Sequence, residues 1–252
     1  MERVGSHYAY EQLIQQSLKI QARLSERQRQ QATSSRGEQF DEIPAETQLV
    51  QNLQEMSIKI ESYIGSCKNK LSELEAKHSA LKAIADLLVR AQTTAADAMG
   101  ASTDEKKFES INHAADLMLN ELEGLLNSKH DGNYLLGGSI TDQQPVKIRH
   151  ADFKAQKAPS TPDDKYYLGN AQSTFISLNE ERLLEDPVNA KNPAVEKAIR
   201  AIAMLTKIKS TERESAKEAF TLLKDAVKGV SSMLSTTSEI SKSLKDGIRD
   251  NE

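Results

Sequence analysis

Apolar residues recur at every seventh position over a long stretch of this chain that contains almost no glycine or proline. A seven-residue repeat places its apolar positions on one face of a helix, and such a face is stable when a second helix lies along it. About fifty residues of helix, from about Pro44 to Ala98, would be roughly 80 Å long at about 1.5 Å per residue. We therefore predict one long helix with a helical partner. Its core seam is Leu53, Ile60, Cys67, Leu74, Leu81 and Leu88.

A second apolar seam near the carboxyl end has the alternating three- and four-residue spacing that matches the first. Thr211 and Glu214 precede it with the spacing of a capping box, which predicts a helix start at this point. Two matching seams favour packing within one chain, and a joint between two chains is the alternative. The second seam consists of Phe220, Leu223, Val227, Val230 and Leu234.

A glycine-rich stretch, HDGNYLLGGSITDQQPV at residues 130–146, interrupts the helical pattern between the two seams. Short strand candidates follow at VKIRH (146–150), KYYLG (165–169) and STFISL (173–178). We therefore predict a mainly α fold, in which a long antiparallel helical bundle carries a small β-hairpin region between its outgoing and returning helices. The predicted hairpin turn consists of Gly132, Asn133, Tyr134, Gly137 and Gly138.

The first helical pattern of the chain carries only a thin apolar stripe among many Gln and Arg residues. A helix with so little apolar area is not stable alone, so we expect it to pack on neighbouring molecules. This assembly stripe consists of Val4, Tyr8, Leu13, Leu18 and Leu24.

Four regions are expected from these patterns. They are an amino-terminal helix and linker (1–45), the outgoing core helices (46–132), a small β region (133–190) and the returning core helices (191–252).

The charge pattern excludes several classes of partner. The 33 basic and 37 acidic residues are interleaved, without the basic block that would neutralise nucleic-acid phosphates. The sequence contains no run of about 18 apolar residues, so no segment is predicted to insert into a membrane. The amino terminus lacks the pattern of a cleaved signal. The single cysteine excludes an internal disulfide.

Candidate catalytic groups occur singly. Cys67 occupies a seam position, and His78 lies eleven residues further on, about 16 Å along a helix and too far for a hydrogen bond. The glycines at 132, 137 and 138 follow a helix, which is the reverse of a phosphate-binding loop. The sequence therefore predicts no enzyme, no cofactor and no metal site. Residues that we assign to ordinary structural or solvated roles are His113, His130, His150, Asp163, Asp164, Glu180 and Glu181.

The glycine-rich segment also carries a family resemblance. LLNSKHDGNYLLGGSITDQQPV resembles the segment of flagellin-like proteins in which the second core helix ends and a β-hairpin region begins. Four further segments agree with that family in order and spacing: RVGSHYAYEQLIQQSLKIQARL, FDEIPAETQLVQNLQEM, YYLGNAQSTF and NPAVEKAIRAIAML. Over nearly its whole length the chain is similar to flagellin-like proteins, and most of all to the hook–filament junction proteins of bacterial flagella, the third hook-associated type.

The resemblance implies a structural subunit of a tubular polymer, in which the terminal helices of each subunit pair in an inner tube. It implies other hook-associated proteins, flagellin and further copies of the chain as partners, with an export chaperone as another candidate. It also implies secretion to the flagellum without a cleaved signal. The chain departs from the family pattern in ending at SLKDGIRDNE, so we expect the carboxy-terminal inner-tube helix to be absent.

Two alternatives stay open. One is a flagellin-type filament subunit, which shares the helical core and the hairpin region. The other is a non-flagellar coiled-coil adaptor or secretion tip protein, which shares the long helices but does not require a glycine-flanked hairpin at this position.

Overall fold

The computed structural model describes residues 18–25, 27–28, 44–100, 105–149, 155–178 and 182–251, and most of these are helical. The predicted mainly α fold with small antiparallel β hairpins is confirmed. Residues 18–25 and 27–28 are helical as well. The helices are α1 (Pro44–Gly100), α2 (Glu105–Leu126), α3 (Pro193–Leu205) and α4 (Arg213–Asn251), and the strands are β1 (Lys129–His130), β2 (Asn133–Tyr134), β3 (Thr174–Ser177) and β4 (Leu183–Asp186).

Helix α1 is a single helix of 57 residues. Its interior contains one glycine, Gly65, and is rich in Leu, Ala, Lys and Glu, which are strong helix formers. The chain divides into two compact units, Met1–Lys59 and Ile60–Glu252, and the boundary falls within this helix.

The main core of the second unit joins the later part of α1 to the other helices. From Leu81 onward, α1 buries one face, and α2 buries the face that contains Phe108, Ile111 and Leu122. Burial of this apolar surface is the dominant favourable contribution to folding, at about 25 cal/mol per Å². The fold therefore depends most on the residues from Leu81 to Ala98 and on the elements that cover them.

Helix α3 is the most buried element. Its start is fixed by Asn192, whose side chain accepts a hydrogen bond from the backbone of Ala194, and by Pro193 in the first turn. Helix α4 runs antiparallel to α3, because Lys197 pairs with Asp225 at 3.0 Å and Ala194 lies against Gly229. Such close approach requires small residues at the crossing.

Helix α4 also runs antiparallel to α1. His78 lies beside Ser238, with 3.4 Å between Nδ1 and Oγ, and Glu75 pairs with Lys245 at 3.2 Å. Residue numbers therefore decrease along α1 as they increase along α4. A second, smaller core cluster lies at this end: Cys67, Leu74, Ile176, Leu178, Ile240, Leu244 and Ile248.

The first hairpin follows α2 after a few residues. Lys129 pairs with Tyr134 and His130 with Asn133, so Asp131 and Gly132 form the two-residue turn. Both have positive φ, 47° and 83°, which is the conformation of the type I′ turn that matches the twist of an antiparallel hairpin. The predicted turn is thus found at Gly132, whereas Asn133 and Tyr134 form the second strand.

Gly137 and Gly138 lie in the turn that follows β2. Gly138 has φ of 74°, and a Cβ at this position would lie 2.2 Å from the backbone oxygen of Asn170. A Cβ on Gly137 would lie 2.2 Å from the backbone oxygen of Ile140. At Gly138, two separate parts of the β region therefore approach so closely that only glycine fits, and at Gly137 the turn itself leaves no room for a Cβ.

Two of the three predicted strands are wrong. Val146 and Tyr167 form an isolated bridge rather than strands at 146–150 and 165–169. Backbone hydrogen bonds flank this bridge, from Lys147 N to Tyr166 O at 2.9 Å and from Leu168 N to Pro145 O at 2.7 Å. The side chain of Asn127 donates to Val146 O at 2.8 Å and accepts from Val146 N at 3.0 Å. The two segments therefore pair over a single bridge, and the Asn127 side chain satisfies the remaining backbone groups of Val146.

The third predicted strand exists as β3, which pairs with β4 from Thr174–Asp186 to Ser177–Leu183. The sequence did not indicate β4. Ile176 and Leu184 are directly paired on the face toward the small cluster, and Phe175 and Leu183 are exposed on the other face.

The amino-terminal part of the predicted core seam is also wrong. Leu53 is 57% exposed, whereas Cys67, Leu74, Leu81 and Leu88 are at most 1% exposed. A heptad repeat selects the face of a helix but does not supply the partner that covers it.

Candidate functional site

The single cysteine lies in the small core cluster and not at a reactive site. Cys67 is 1% exposed, and its Sγ lies 3.7 Å from Ser177 O, to which the thiol donates. Burial raises the pKa of the Cys67 thiol, which disfavours the thiolate that a nucleophile needs. Cys67 therefore acts as a small apolar residue.

The described histidines lie in different surroundings. His113 is exposed on α2, His130 lies 3.5 Å from its neighbour Asp131, and His78 contacts Ser238. His150 lies outside the described residues. Within the described ranges, no three side chains of His, Cys, Asp or Glu come together as metal ligands.

The glycine-rich turn uses its own hydrogen-bond donors. Ser139 N donates to Asn170 Oδ1 at 2.8 Å, and Asn170 Nδ2 donates to Ser139 Oγ at 2.6 Å. The Tyr167 hydroxyl donates to Asn170 O at 2.6 Å. The turn is therefore held by contacts within the chain, and these donors are not directed at a ligand.

The acidic pairs have structural roles where the structure describes them. Asp163 Oδ1 accepts from Lys165 N, and Asp163 N donates to Glu196. Glu180 and Glu181 lie outside the described residues.

Exposed apolar side chains are concentrated on the helical residues of the first unit. The assembly-stripe residues Leu18 and Leu24 are 59% and 56% exposed, and Val4, Tyr8 and Leu13 lie outside the described residues. Isolated exposed apolar residues are ordinary, but a run along one helix marks an interaction surface. Exposed apolar residues on the first part of α1 are Leu49, Val50, Leu53, Met56 and Ile58.

The other seam residues have varied burial. Ile60 is partly buried, and on α4 Leu223 and Val230 are fully buried. Phe220, Val227 and Leu234 are partly buried and pack against the main core. Alternate positions of the α4 seam thus face the core fully while the others lie at its margin.

Two buried ion pairs were not indicated by the sequence. Lys77 donates to Asp186 at 2.7 Å and to Val188 O at 3.2 Å. Arg200 and Glu196 form the second pair on α3, and Arg200 also donates to Ser160 Oγ at 2.7 Å. Lys77 lies in the heptad region at a position adjacent to the seam. Its partner is 109 residues away in sequence, so the spacing of residues could not predict this ion pair.

The geometry thus defines a helical protein whose described polar clusters support the fold and whose exposed apolar faces are available for packing. No helix in the described part of the chain combines the length and apolarity of a membrane span. The class is a mainly α bundle with an inserted region of short antiparallel hairpins.

Solved structures share this fold. A protein described as a flagellar hook-associated protein of Vibrio parahaemolyticus is similar over 84% of this chain and 94% of its own, with a TM-score of 0.69 and 12% identity. FlgL of Bacillus cereus is similar over 81% of this chain and 93% of its own, with a TM-score of 0.61 and 16% identity. No family model and no curated protein matches the sequence. At these identities, the likeness establishes the fold.

Proposed function

We propose that the chain is a structural subunit of the bacterial flagellum, which joins hook to filament through helical packing with neighbouring subunits. The observation that carries the proposal is the shared fold with a protein described as flagellar hook-associated, over 94% of that protein. Five sequence segments with the order and spacing of hook–filament junction proteins support it independently.

The exposed apolar residues give this role a physical basis. Leu18, Leu24, Leu49 and Leu53 are each more than half exposed in a single chain. Apolar surface of this kind gains free energy when neighbouring subunits cover it, at about 25 cal/mol per Å². The proposed partners are other hook-associated proteins, flagellin and further copies of this chain, with an export chaperone before assembly.

Each of the four regions has its own proposed role. Residues 1–45 contact neighbours, the helices of 46–132 and 191–252 form the core, and 133–190 form the small β region. The proposed role is non-enzymatic, and the proposed location is the flagellum.

The deciding experiment is electron microscopy of source cells that lack this chain, with an assay for flagellin in the medium. Bare hooks with flagellin shed into the medium are expected for a junction protein, because filament subunits then have nothing to attach to. Loss of the filament without shed flagellin would instead favour a filament subunit.

Normal flagella in these cells would favour a non-flagellar adaptor. A second measurement, thermal unfolding of the purified chain over a range of concentrations, separates that alternative further. A coiled-coil oligomer gains stability with concentration, whereas a monomeric bundle does not.

A further inference from the structure

We propose that the exposed apolar face at the start of α1 binds the amino-terminal helical segment of a second copy of this chain. This open face consists of Leu49, Val50, Leu53 and Met56, which are 57%, 45%, 57% and 60% exposed. The partner segment lies within residues 18–28, of which 18–25 and 27–28 are described as helical. The inference rests on the proposed function, because it names the contact through which neighbouring subunits pack.

The open face has the geometry of a helix-binding surface. Leu49, Leu53 and Met56 have spacings of four and three residues and so lie on one side of α1. Leu53 has the same heptad position as Cys67 and Leu74, which pack against Leu244 and Ile248 of α4. The side of α1 that packs against α4 in the small cluster is therefore exposed at Leu53.

The amino-terminal segment has matching properties. Ile20 and Leu24 are one helical turn apart and are 66% and 56% exposed. An amphipathic helix of this kind binds by laying its apolar side chains into a complementary face.

The charges of the two segments are opposite. Residues 18–28 carry Lys19, Arg23 and Arg27 against Glu26, which gives a net charge of +2 (3 − 1). Residues 44–61 carry Glu46, Glu55 and Glu61 against Lys59, which gives −2 (1 − 3). Opposite net charges favour encounter between these segments and disfavour pairing of either segment with itself.

The exposure of both surfaces in a single chain is the reason for assigning this contact to two copies. The fifteen residues 29–43 could span up to about 50 Å when extended, enough for the segment to reach α1 of its own chain. In the structure of a single chain, both surfaces are nevertheless exposed. A contact between two different surfaces is head-to-tail, so it repeats from copy to copy as a polymer requires.

Cysteine cross-linking in assembled flagella tests the inference. The variant Leu24→Cys/Leu53→Cys replaces the wild-type chain in source cells, and isolated flagella are oxidised and separated on non-reducing gels. We expect a ladder of covalent multimers. The native Cys67 is buried and is present in both the test and the control variant, so it does not account for a difference between them. The matched control is Leu24→Cys/Gln51→Cys, since position 51 lies on the opposite side of α1, and its multimers should be at least about tenfold fewer.

Other outcomes overturn the inference. A disulfide confined to monomers means that the segment folds onto its own chain, and absence of any disulfide between positions 24 and 53 means that other surfaces cover both faces. Equal yields of multimers in the control variant would mean that the cross-links form between crowded copies without a specific contact, which also overturns the inference.

Should the double variant fail to assemble, the single variants Leu24→Cys and Leu53→Cys are co-expressed with the wild-type chain. A covalent dimer that contains one of each is then expected, and its absence overturns the inference. The proposed function is judged separately, by the flagella of cells that lack the chain, so a junction role can hold when this contact fails.

Discussion

The ammonium group of Lys77 on α1 lies 2.7 Å from Asp186 Oδ2 at the end of β4, and the two side chains are 4% and 0% exposed. Asp186 also accepts a hydrogen bond from Val188 N through its other oxygen at 3.1 Å. The pair therefore fixes the second hairpin to the long helix from inside the fold. Neither charge can be solvated if the other is lost.

Removing one member of this pair should be costly. Lys77→Ala or Asp186→Ala is expected to lower the free energy of unfolding by about 3–5 kcal/mol, because one buried charge is left without its partner. Urea unfolding measures the change. The double variant Lys77→Met/Asp186→Leu should lose less than either single change, because no charge is then buried.

The exposed pair between Arg90 and Glu121 gives a matched control. Its side chains are 56% and 46% exposed at a separation of 2.6 Å, so Glu121→Ala should change stability by about 1 kcal/mol or less. If Lys77→Ala had an effect equally small, the pair would not hold the hairpin to α1.

The type I′ turn predicts a conformational cost at Gly132. Gly132→Ala should destabilise the protein by about 1–2 kcal/mol, because a Cβ disfavours the φ of 83° found there, although no atom lies within 4 Å of it. Gly124→Ala on α2 is the control, since that position is also open but helical. It should stabilise by about 0.5–1 kcal/mol. A stabilising Gly132→Ala in thermal unfolding would contradict the assigned turn.

The crossing of α3 and α4 predicts a steric cost at Gly229. A Cβ there would lie 2.3 Å from Ala194 Cβ, so Gly229→Ala should destabilise by about 1–3 kcal/mol through overpacking. Gly65→Ala on α1, where nothing lies within 4 Å, should not destabilise. Urea unfolding of both variants gives the comparison, and equal effects would mean that the two helices do not approach so closely.

These particular residues show how far sequence reasoning reaches. The heptad repeat predicts the buried side of α1 from Cys67 to Leu88, because periodicity follows directly from helix geometry. It fails at Leu53, since coverage depends on an element elsewhere in the chain.

The β region was harder to predict because its contacts are not local. Strand β4 (LLED) has no clear alternation of apolar and polar residues, and its partner fixes its register. Val146 pairs with Tyr167 at an isolated bridge only, and the side chain of Asn127, 19 residues away in sequence, bonds both backbone groups of Val146. The exposed apolar surface was partly predicted as the thin stripe with Leu18 and Leu24, whereas the exposure of Phe175 and Leu183 depends on a strand pairing that the sequence does not indicate.

Stability should fall at alkaline pH through Tyr166. Burial, followed by the nearby carboxylates of Glu196 and Asp164, raises the pKa of this phenol well above its ordinary value of 10.0. Its hydroxyl donates to Ala190 O at 3.0 Å, so the folded state favours the protonated form.

The direction of this pH dependence follows from the linkage between proton binding and folding. Because the folded pKa is raised, the contribution of Tyr166 is complete below pH of about 10 and is lost as pH rises above it, at about 1.4 kcal/mol per pH unit. Tyr167, whose pKa burial raises to about 12, adds a second such dependence. Tyr166→Phe should therefore be less stable at pH 8 but show a shallower decline between about pH 10 and 11.5. Unfolding measured across this range tests it, and an unchanged slope would show that Tyr166 ionises freely in the folded protein.

The small core cluster should open independently of the main core. Cys67 belongs to this cluster together with Leu244 and Ile248 of α4, while Ile111 lies in the main core. Regions with few buried apolar contacts open at lower free energy than the rest of a domain. Modification of Cys67 by a thiol reagent in native buffer reports such opening, because the thiol is 1% exposed when the cluster is closed.

Leu244→Ala should accelerate modification of Cys67 by about tenfold or more, since truncating a buried Leu costs about 2–5 kcal/mol and tenfold corresponds to about 1.4 kcal/mol. Ile111→Ala, a comparable truncation in the main core, should leave the rate nearly unchanged if the cluster opens alone. Equal acceleration by both variants would mean that Cys67 is reached only through global unfolding. The end of α4 and the second hairpin would then belong to the same cooperative unit as the rest of residues 60–252.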